Sequence, residues 1–279
     1  MDNISCDLHF VSCKTMRLLL LICVIIPNLL FGQELQLEGT HAFEADRFIG
    51  VDSYQNTYFI KDEVLHKSGP LGDFVFNNYL LGSITSVDII NPLKVLVFYR
   101  EVNTALFLDN RLNEIERIDF NLLPEFLNVG AAGNAGNNLL WVFDMDTQEL
   151  ELFDYRNNRK TIVSQPFNGE LLALTSGFTY CHVLTSNGLF TFNVYGSFIS
   201  ERQEVALEQI TQYGGDLIGL GNEGLVLIPG PNSDTLENTV VPLNLTDIEI
   251  TVKDLHLSQD FLYIYDGNLL RTFTLTQPK

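Results

Sequence analysis

The chain has 279 residues, 46% of them hydrophobic, and sets 16 Lys and Arg against 35 Asp and Glu for a formal net charge of −19. So acidic a surface repels nucleic acid and anionic lipid head groups, and favours cationic partners or loosely held divalent ions. Helix-period patterns and long charge runs are missing, so the apolar residues have to be read for strands.

The chain opens with Lys14 and Arg17 ahead of the apolar run Leu18 to Leu30, then Phe31-Gly32-Gln33. A basic n-region, an apolar h-region and a small residue form the pattern of a secretory signal peptide, expected over residues 1–32 with cleavage after Gly32. Met16 is an alternative start, because Met1 to Thr15 add nothing a signal needs. The run is short for a membrane span and holds Pro27. Ile22 is too bulky for the small residue that lipidation of Cys23 would need before it. Cys6, Cys13 and Cys23 fall in or before the signal, which leaves Cys181 alone and excludes an intrachain disulfide. An exported domain without disulfides suits a Gram-negative periplasm or cell surface. Cys181, within Phe178-Thr179-Tyr180-Cys181-His182-Val183, reads as a buried, inert strand residue.

Past the signal, residues 33–279 carry one recurring unit. Its clearest copy is Asn138 to Phe167. There Leu139–Phe143 is an apolar strand, Asp144–Gln148 a turn, Glu149–Asp154 an alternating strand, and Lys160–Val163 a more polar third strand. In chain order the apolar strand recurs at Thr57–Ile60, Lys94–Tyr99, Leu139–Phe143, Thr179–Leu184, Asp216–Leu220 and Phe261–Tyr265. The spacing of roughly forty residues is that of four-stranded propeller blades. Each marker leads through a turn into a second strand, with Asn187-Gly188, Glu223-Gly224 and Asp266-Gly267 supplying turn chemistry. Outer strands follow at Asn113–Phe120 and Ser197–Val205. Inner strands precede the markers at Phe48–Asp52, Ile84–Asp88 and Ile250–Asp254. Equivalent positions in the other copies fall at Gly130, Thr175 and Gln212.

The last copy has no outer strand, and Glu34 to Thr40 is an unassigned alternating segment ahead of the first copy. Pairing the two would close a ring and remove both open sheet edges. The expected fold is therefore all-β, a six-bladed β-propeller closed by the mature N-terminal strand.

On these repeats the chain resembles the β-propeller superfamily of the WD40-like or quinoprotein-like kind, over the whole of residues 33–279. The Gly-His and Trp-Asp pairs of true WD40 repeats and the double glycines of kelch repeats are missing. The blades are most similar to degenerate propellers of bacterial envelope proteins, and that resemblance implies a docking platform. It carries over no site residue.

Candidate chemistry is sparse. Asp52, Asp88 and Asp254, at the ends of three inner strands, would converge on one mouth of the channel and could bind a cation or a basic side chain. The same acids can also cap turns through their own backbone. Asp144-Met145-Asp146 with Glu149 resembles part of a calcium loop but lacks its glycine. His41, His66, His182 and His256 have no ligand spacing. No Gly-x-Ser-x-Gly occurs. Asp234-Thr235-Leu236 resembles an envelope O-glycosylation acceptor, and Asn244-Leu245-Thr246 fits the N-glycosylation pattern. Tyr54, Tyr99 and Tyr155 are candidate partner anchors near blade turns.

The sequence thus points to a non-catalytic protein-binding or scaffold module of the cell envelope, without cofactor, monomeric or in a hetero-complex with an envelope protein. The alternative is a carbohydrate-active glycosidase or lyase working through the channel-mouth carboxylates.

Overall fold

The structure, a computed structural model, describes residues 33–203, 206–231, 240–245 and 251–275. The expected signal peptide, the Asp234–Leu236 acceptor and Thr246 of the N-glycosylation pattern lie outside the described residues. Among the described residues no helix is long and apolar enough to cross a membrane.

The chain is an all-β, six-bladed β-propeller. It begins with β1 (Gln33–Ala42), which is set aside from the first blade. The first blade is β2 (Arg47–Val51), β3 (Thr57–Lys61), β4 (Val64–Gly69) and β5 (Gly72–Phe76). The second is β6 (Ser86–Asp88), β7 (Val95–Tyr99), β8 (Thr104–Leu108) and β9 (Glu114–Asp119). The third is β10 (Val129–Gly136), β11 (Leu139–Asp144), β12 (Glu149–Asp154) and β13 (Arg159–Ile162). The fourth is β14 (Leu171–Ser176), β15 (Tyr180–Thr185), β16 (Gly188–Asn193) and β17 (Phe198–Arg202). The fifth is β18 (Leu207–Tyr213), β19 (Asp216–Gly221), β20 (Gly224–Ile228) and β21 (Val241–Asn244). The sixth takes β22 (Asp254–Leu257), β23 (Phe261–Tyr265) and β24 (Leu269–Leu275) from the far end of the chain.

β1 is the fourth strand of that sixth blade. It runs antiparallel to β24, with Leu35 opposite Leu275 and Leu37 opposite Phe273. Its first two residues also pair in parallel with β21, Gln33 opposite Leu243 and Glu34 opposite Asn244, so one strand stitches the fifth and sixth blades into a single eight-stranded sheet. The two ends of the repeat array are thereby joined by backbone hydrogen bonds.

Burial explains why these residues form these strands. β7 and β8 are buried at every position, because each blade packs both faces against neighbours, and strands covered on both sides read as continuous apolar runs. Outer strands such as β5 and β17 are mostly exposed. Left-handed residues make the tight turns, among them Asp62 and Glu63 between β3 and β4 at φ 52° and 62°.

Six apolar clusters fill six seams. Tyr58, Leu65 and Val97 join the first blade to the second, and Phe98, Phe120 and Phe153 the second to the third. Trp141, Phe143, Cys181 and Phe192 join the third to the fourth; Leu184, Leu189 and Leu217 the fourth to the fifth. Ile218, Leu225 and Ile264 join the fifth to the sixth, with Leu35 of β1 among them. The last seam closes the circle, where Phe48 of β2 meets Tyr265 and Leu270 of the sixth blade. An open solenoid would leave that seam unfilled.

Candidate functional site

The inner strands wall a central channel, and the three aspartates singled out from the sequence behave differently along it. Asp52 follows β2 and folds onto its own turn. Its Oδ1 accepts the N–H groups of Tyr54 and Asn56, each at 2.9 Å, and its Oδ2 accepts Asn56 Nδ2 at 2.9 Å and the Tyr58 hydroxyl at 3.0 Å. Burial, and then this carboxylate, push the Tyr58 hydroxyl pKa far up. Asp52 is a turn cap.

Asp88 reaches across blades. Its Oδ1 accepts the N–H of Ile90 at 2.9 Å, while Oδ2 accepts the N–H of Asn134 on β10 at 2.8 Å and Ser176 Oγ on β14 at 3.0 Å. One carboxylate so ties together the second, third and fourth blades. Burial raises its pKa, and the three donated hydrogen bonds oppose that rise. Asp254 does the same at another seam: its Oδ2 accepts the N–H of Phe48 on β2 at 2.9 Å. Burial raises its pKa too, against the pull of that N–H, Arg47 and Lys253.

The structure does not bring the three acids to one mouth. Asp88 ends β6 opposite Leu96 near the start of β7, whereas Asp254 begins β22 opposite Tyr265 at the end of β23. Inner strands of successive blades run the same way along the channel, so these two lie toward opposite ends. Equal spacing from the marker strands concealed unequal connections: residues 89–94 join β6 to β7, but a short Ser258–Asp260 turn joins β22 to β23. Among the described residues no three His, Cys, Asp or Glu side chains are placed to hold a metal ion.

The rest of the channel wall is similarly engaged. Arg47 Nη1 on β2 donates to the Ile84 and Thr85 carbonyls at 3.1 and 2.9 Å, and Thr211 Oγ1 on β18 accepts the Leu257 N–H at 2.9 Å. Gln212 Nε2 donates to the Tyr180 carbonyl at 3.3 Å. At Gly130 a Cβ would press on Met145 Sδ at 2.3 Å, and Thr175 lies opposite His182 on β15. The bonds of Arg47, Thr211 and Gln212 join neighbouring blades.

The histidines stay apart. His66 stacks on Phe59 with ring centroids 4.8 Å apart. His182 is buried, with Nδ1 3.0 Å from Thr191 Oγ1, and His256 Nε2 lies 3.0 Å from the Val51 carbonyl. Desolvation lowers both pKa values to about 4. Cys181 is fully buried, and desolvation raises its thiol pKa, as an inert core residue requires. Of the proposed tyrosine anchors only Tyr54 is exposed. Tyr99 sits in the seam between the first and second blades, and Tyr155 packs on Phe107 at 5.2 Å and under Lys94 Nζ at 4.8 Å. Short of a turn, a tyrosine completes a core as readily as an interface. Asp144 accepts the N–H of Asp146 at 2.9 Å, the bond of a hairpin turn.

A recess at the periphery, a cavity of about 1060 Å³, lies between the third and fourth blades. One wall is the segment 162–168 that leaves β13; the other is the face of β16 and β17. Phe167 forms its apolar floor, 4.8 Å from Phe190 and 6.1 Å from Phe192. Phe198, on the outer strand β17, stands over it, 5.7 Å from Phe192 and 55% exposed. Glu201 is the one charged side chain among the described residues that line the recess, and Gln203 Nε2 donates to it at 2.7 Å.

No protein-family profile matches the chain, and no curated protein sequence does. Solved structures do. Virginiamycin B lyase from Staphylococcus aureus superposes with TM-score 0.57 at 11% identity, over 81% of this chain and 79% of that one. The extracellular domain of the putative one component system BT4673 from B. thetaiotaomicron gives 0.55 at 11% identity, over 89% of this chain and 42% of that one. Kluyveromyces lactis Hsv2 gives 0.51 at 14% identity over 67% of this chain, which spans 57% of the Hsv2 chain. At these identities the likeness is one of fold.

Proposed function

We propose that this member of the β-propeller superfamily is an exported, non-catalytic module that docks a protein partner of the cell envelope. The observation that carries the reading is the division of labour in the molecule. Channel carboxylates that a glycosidase or lyase would need are spent on turn and inter-blade hydrogen bonds, while a roomy recess floored by phenylalanines opens at the periphery. A ring of sheets sealed by six apolar seams holds such a recess in fixed shape, which is what a docking platform requires. Export is supported by the sequence pattern of residues 1–32 and by the fold likeness to an extracellular domain.

Affinity capture from a bacterial envelope extract, followed by mass spectrometry, tests this. A stable partner recovered in comparable amount to the propeller is the expected result. Glycan turnover that Asp52→Asn or Asp88→Asn abolishes, with no partner recovered, would replace the docking role with a carbohydrate-active enzyme.

A further inference from the structure

The molecule contains its own example of how a gap between two blades is filled. Between the fifth and sixth blades, the start of β1 lies in parallel along β21, the outermost strand of the fifth blade. Leu35, 3% exposed, drops from that strand into the seam beside Leu225, Leu243 and Phe273. An extended segment with an inward apolar side chain thus satisfies both the sheet edge and the seam.

The third and fourth blades present the same arrangement without the filler. β13 is outermost in its sheet, hydrogen-bonded to β12 on one edge only. From its last residue, Ile162, the following segment to Asn168 forms one wall of the cavity floored by Phe167 and flanked by Phe198. A cavity of about 1060 Å³ lies at the upper end of the range for small-ligand pockets, roughly 300–1000 Å³. Its lining runs from Ile162 to Asn168 and across to Gln203.

We infer that this groove accepts an extended segment of a partner protein. The segment lies along the 162–168 wall, seats an apolar side chain against Phe167 and Phe198, and offers a lysine or arginine to Glu201. The inference rests on the docking role proposed above and gives it a place and a partner chemistry. Charge selects the occupant: the lining carries one carboxylate and no cation among the described residues, on a chain of net charge −19. That charge also sets a second copy of this chain at a disadvantage as the occupant, since two such surfaces repel.

The test uses fluorescein-labelled decapeptides in which Phe and Leu alternate with Ser and Thr, one version bearing a central Lys and its sibling a central Glu. Anisotropy titration against the full chain is expected to show the Lys peptide binding about tenfold more tightly than the Glu peptide, the effect of one exposed charge contact. Glu201→Lys is expected to invert that preference, and Phe198→Ala to weaken both peptides by about tenfold. Both side chains are exposed on the outer strand, and unchanged thermal midpoints would verify that the variants fold. Failure of both peptides to saturate overturns the inference. So does saturable, Phe198-dependent binding of a neutral oligosaccharide such as maltoheptaose in their place, or a dimer that Phe198→Ala dissolves. Peptide binding that survives both substitutions overturns the groove and leaves the docking role standing.

Discussion

Asp88 Oδ2 accepts the backbone N–H of Asn134 at 2.8 Å, so a side chain of the second blade completes the hydrogen bonding of the third. The same carboxylate holds Ser176 of the fourth blade. Asp88→Ala strands a backbone N–H inside the ring and is expected to cost about 2–4 kcal/mol, the range for removing a charged acceptor from buried donors. Asp88→Asn keeps one carbonyl acceptor and should cost roughly half of that or less. Urea unfolding of the two variants checks the order, and equal losses would show that the inter-blade bonds contribute little.

His182 supplies a pH dependence whose sign is fixed by its depressed pKa. Folded, the imidazole resists protonation down to about 4; unfolded, it takes a proton near its ordinary 6.5. The folded state's advantage is therefore complete above pH 6.5 and drains away as pH falls toward 4. The loss is on the order of 3 kcal/mol. His256 acts in the same direction. Asp88 and Asp254, with raised pKa values, work against it, since their protonation on folding favours the native state as pH drops. Comparing His182→Gln with the parent protein at about pH 7.5 and about pH 4.5 isolates the histidine. The variant should lose less stability on acidification, and parallel losses would exclude the mechanism.

At Gly50 the backbone adopts φ 154° and an added Cβ would stand 2.4 Å from His256 Nδ1. Gly50→Ala forces the ring away from the Val51 carbonyl it is bonded to, at a cost of about 1–3 kcal/mol. The companion substitution His256→Ala opens the space, so the double variant should be less destabilised than the two single losses added together. Simple additivity in thermal melts would show that the clash is relieved elsewhere.

The two leucines of β1 allow the closure to be measured. Leu35 is 3% exposed and Leu37 is 42% exposed, although they lie two positions apart on β1 in unbroken register with β24. Leu35→Ala is expected to cost about 2–4 kcal/mol and Leu37→Ala under about 1 kcal/mol. Denaturant midpoints giving the reverse order, or two equal small losses, would mean that β1 does not seal the ring.

What could be read from the sequence follows from where each strand sits. β7, β11 and β15 are covered on both faces, so their apolar runs stand out and their period reveals six blades. β1 was legible as the missing fourth strand because its alternation had no partner in the first blade. Asp254 was misplaced because sequence distance counts residues, whereas position along the channel depends on how many of them the preceding or following turn consumes. Tyr99 and Tyr155 look like surface anchors until the neighbouring blade is in place. The groove was illegible for a related reason. Phe190 and Phe192 resemble any core pair, and only the course of residues 162–168 decides that a space remains beside them.

The strand that finishes the sixth blade has a consequence for the order of events during synthesis. β1 is the earliest of the described strands to be made, and its main partner, β24, is the latest. Until β24 has been made, the antiparallel edge of β1 lacks its main partner, so the circle is sealed late and across a very long loop. Until that moment the molecule is an arc with two sticky margins. A chain crossing a membrane before it folds would keep those margins from meeting neighbours.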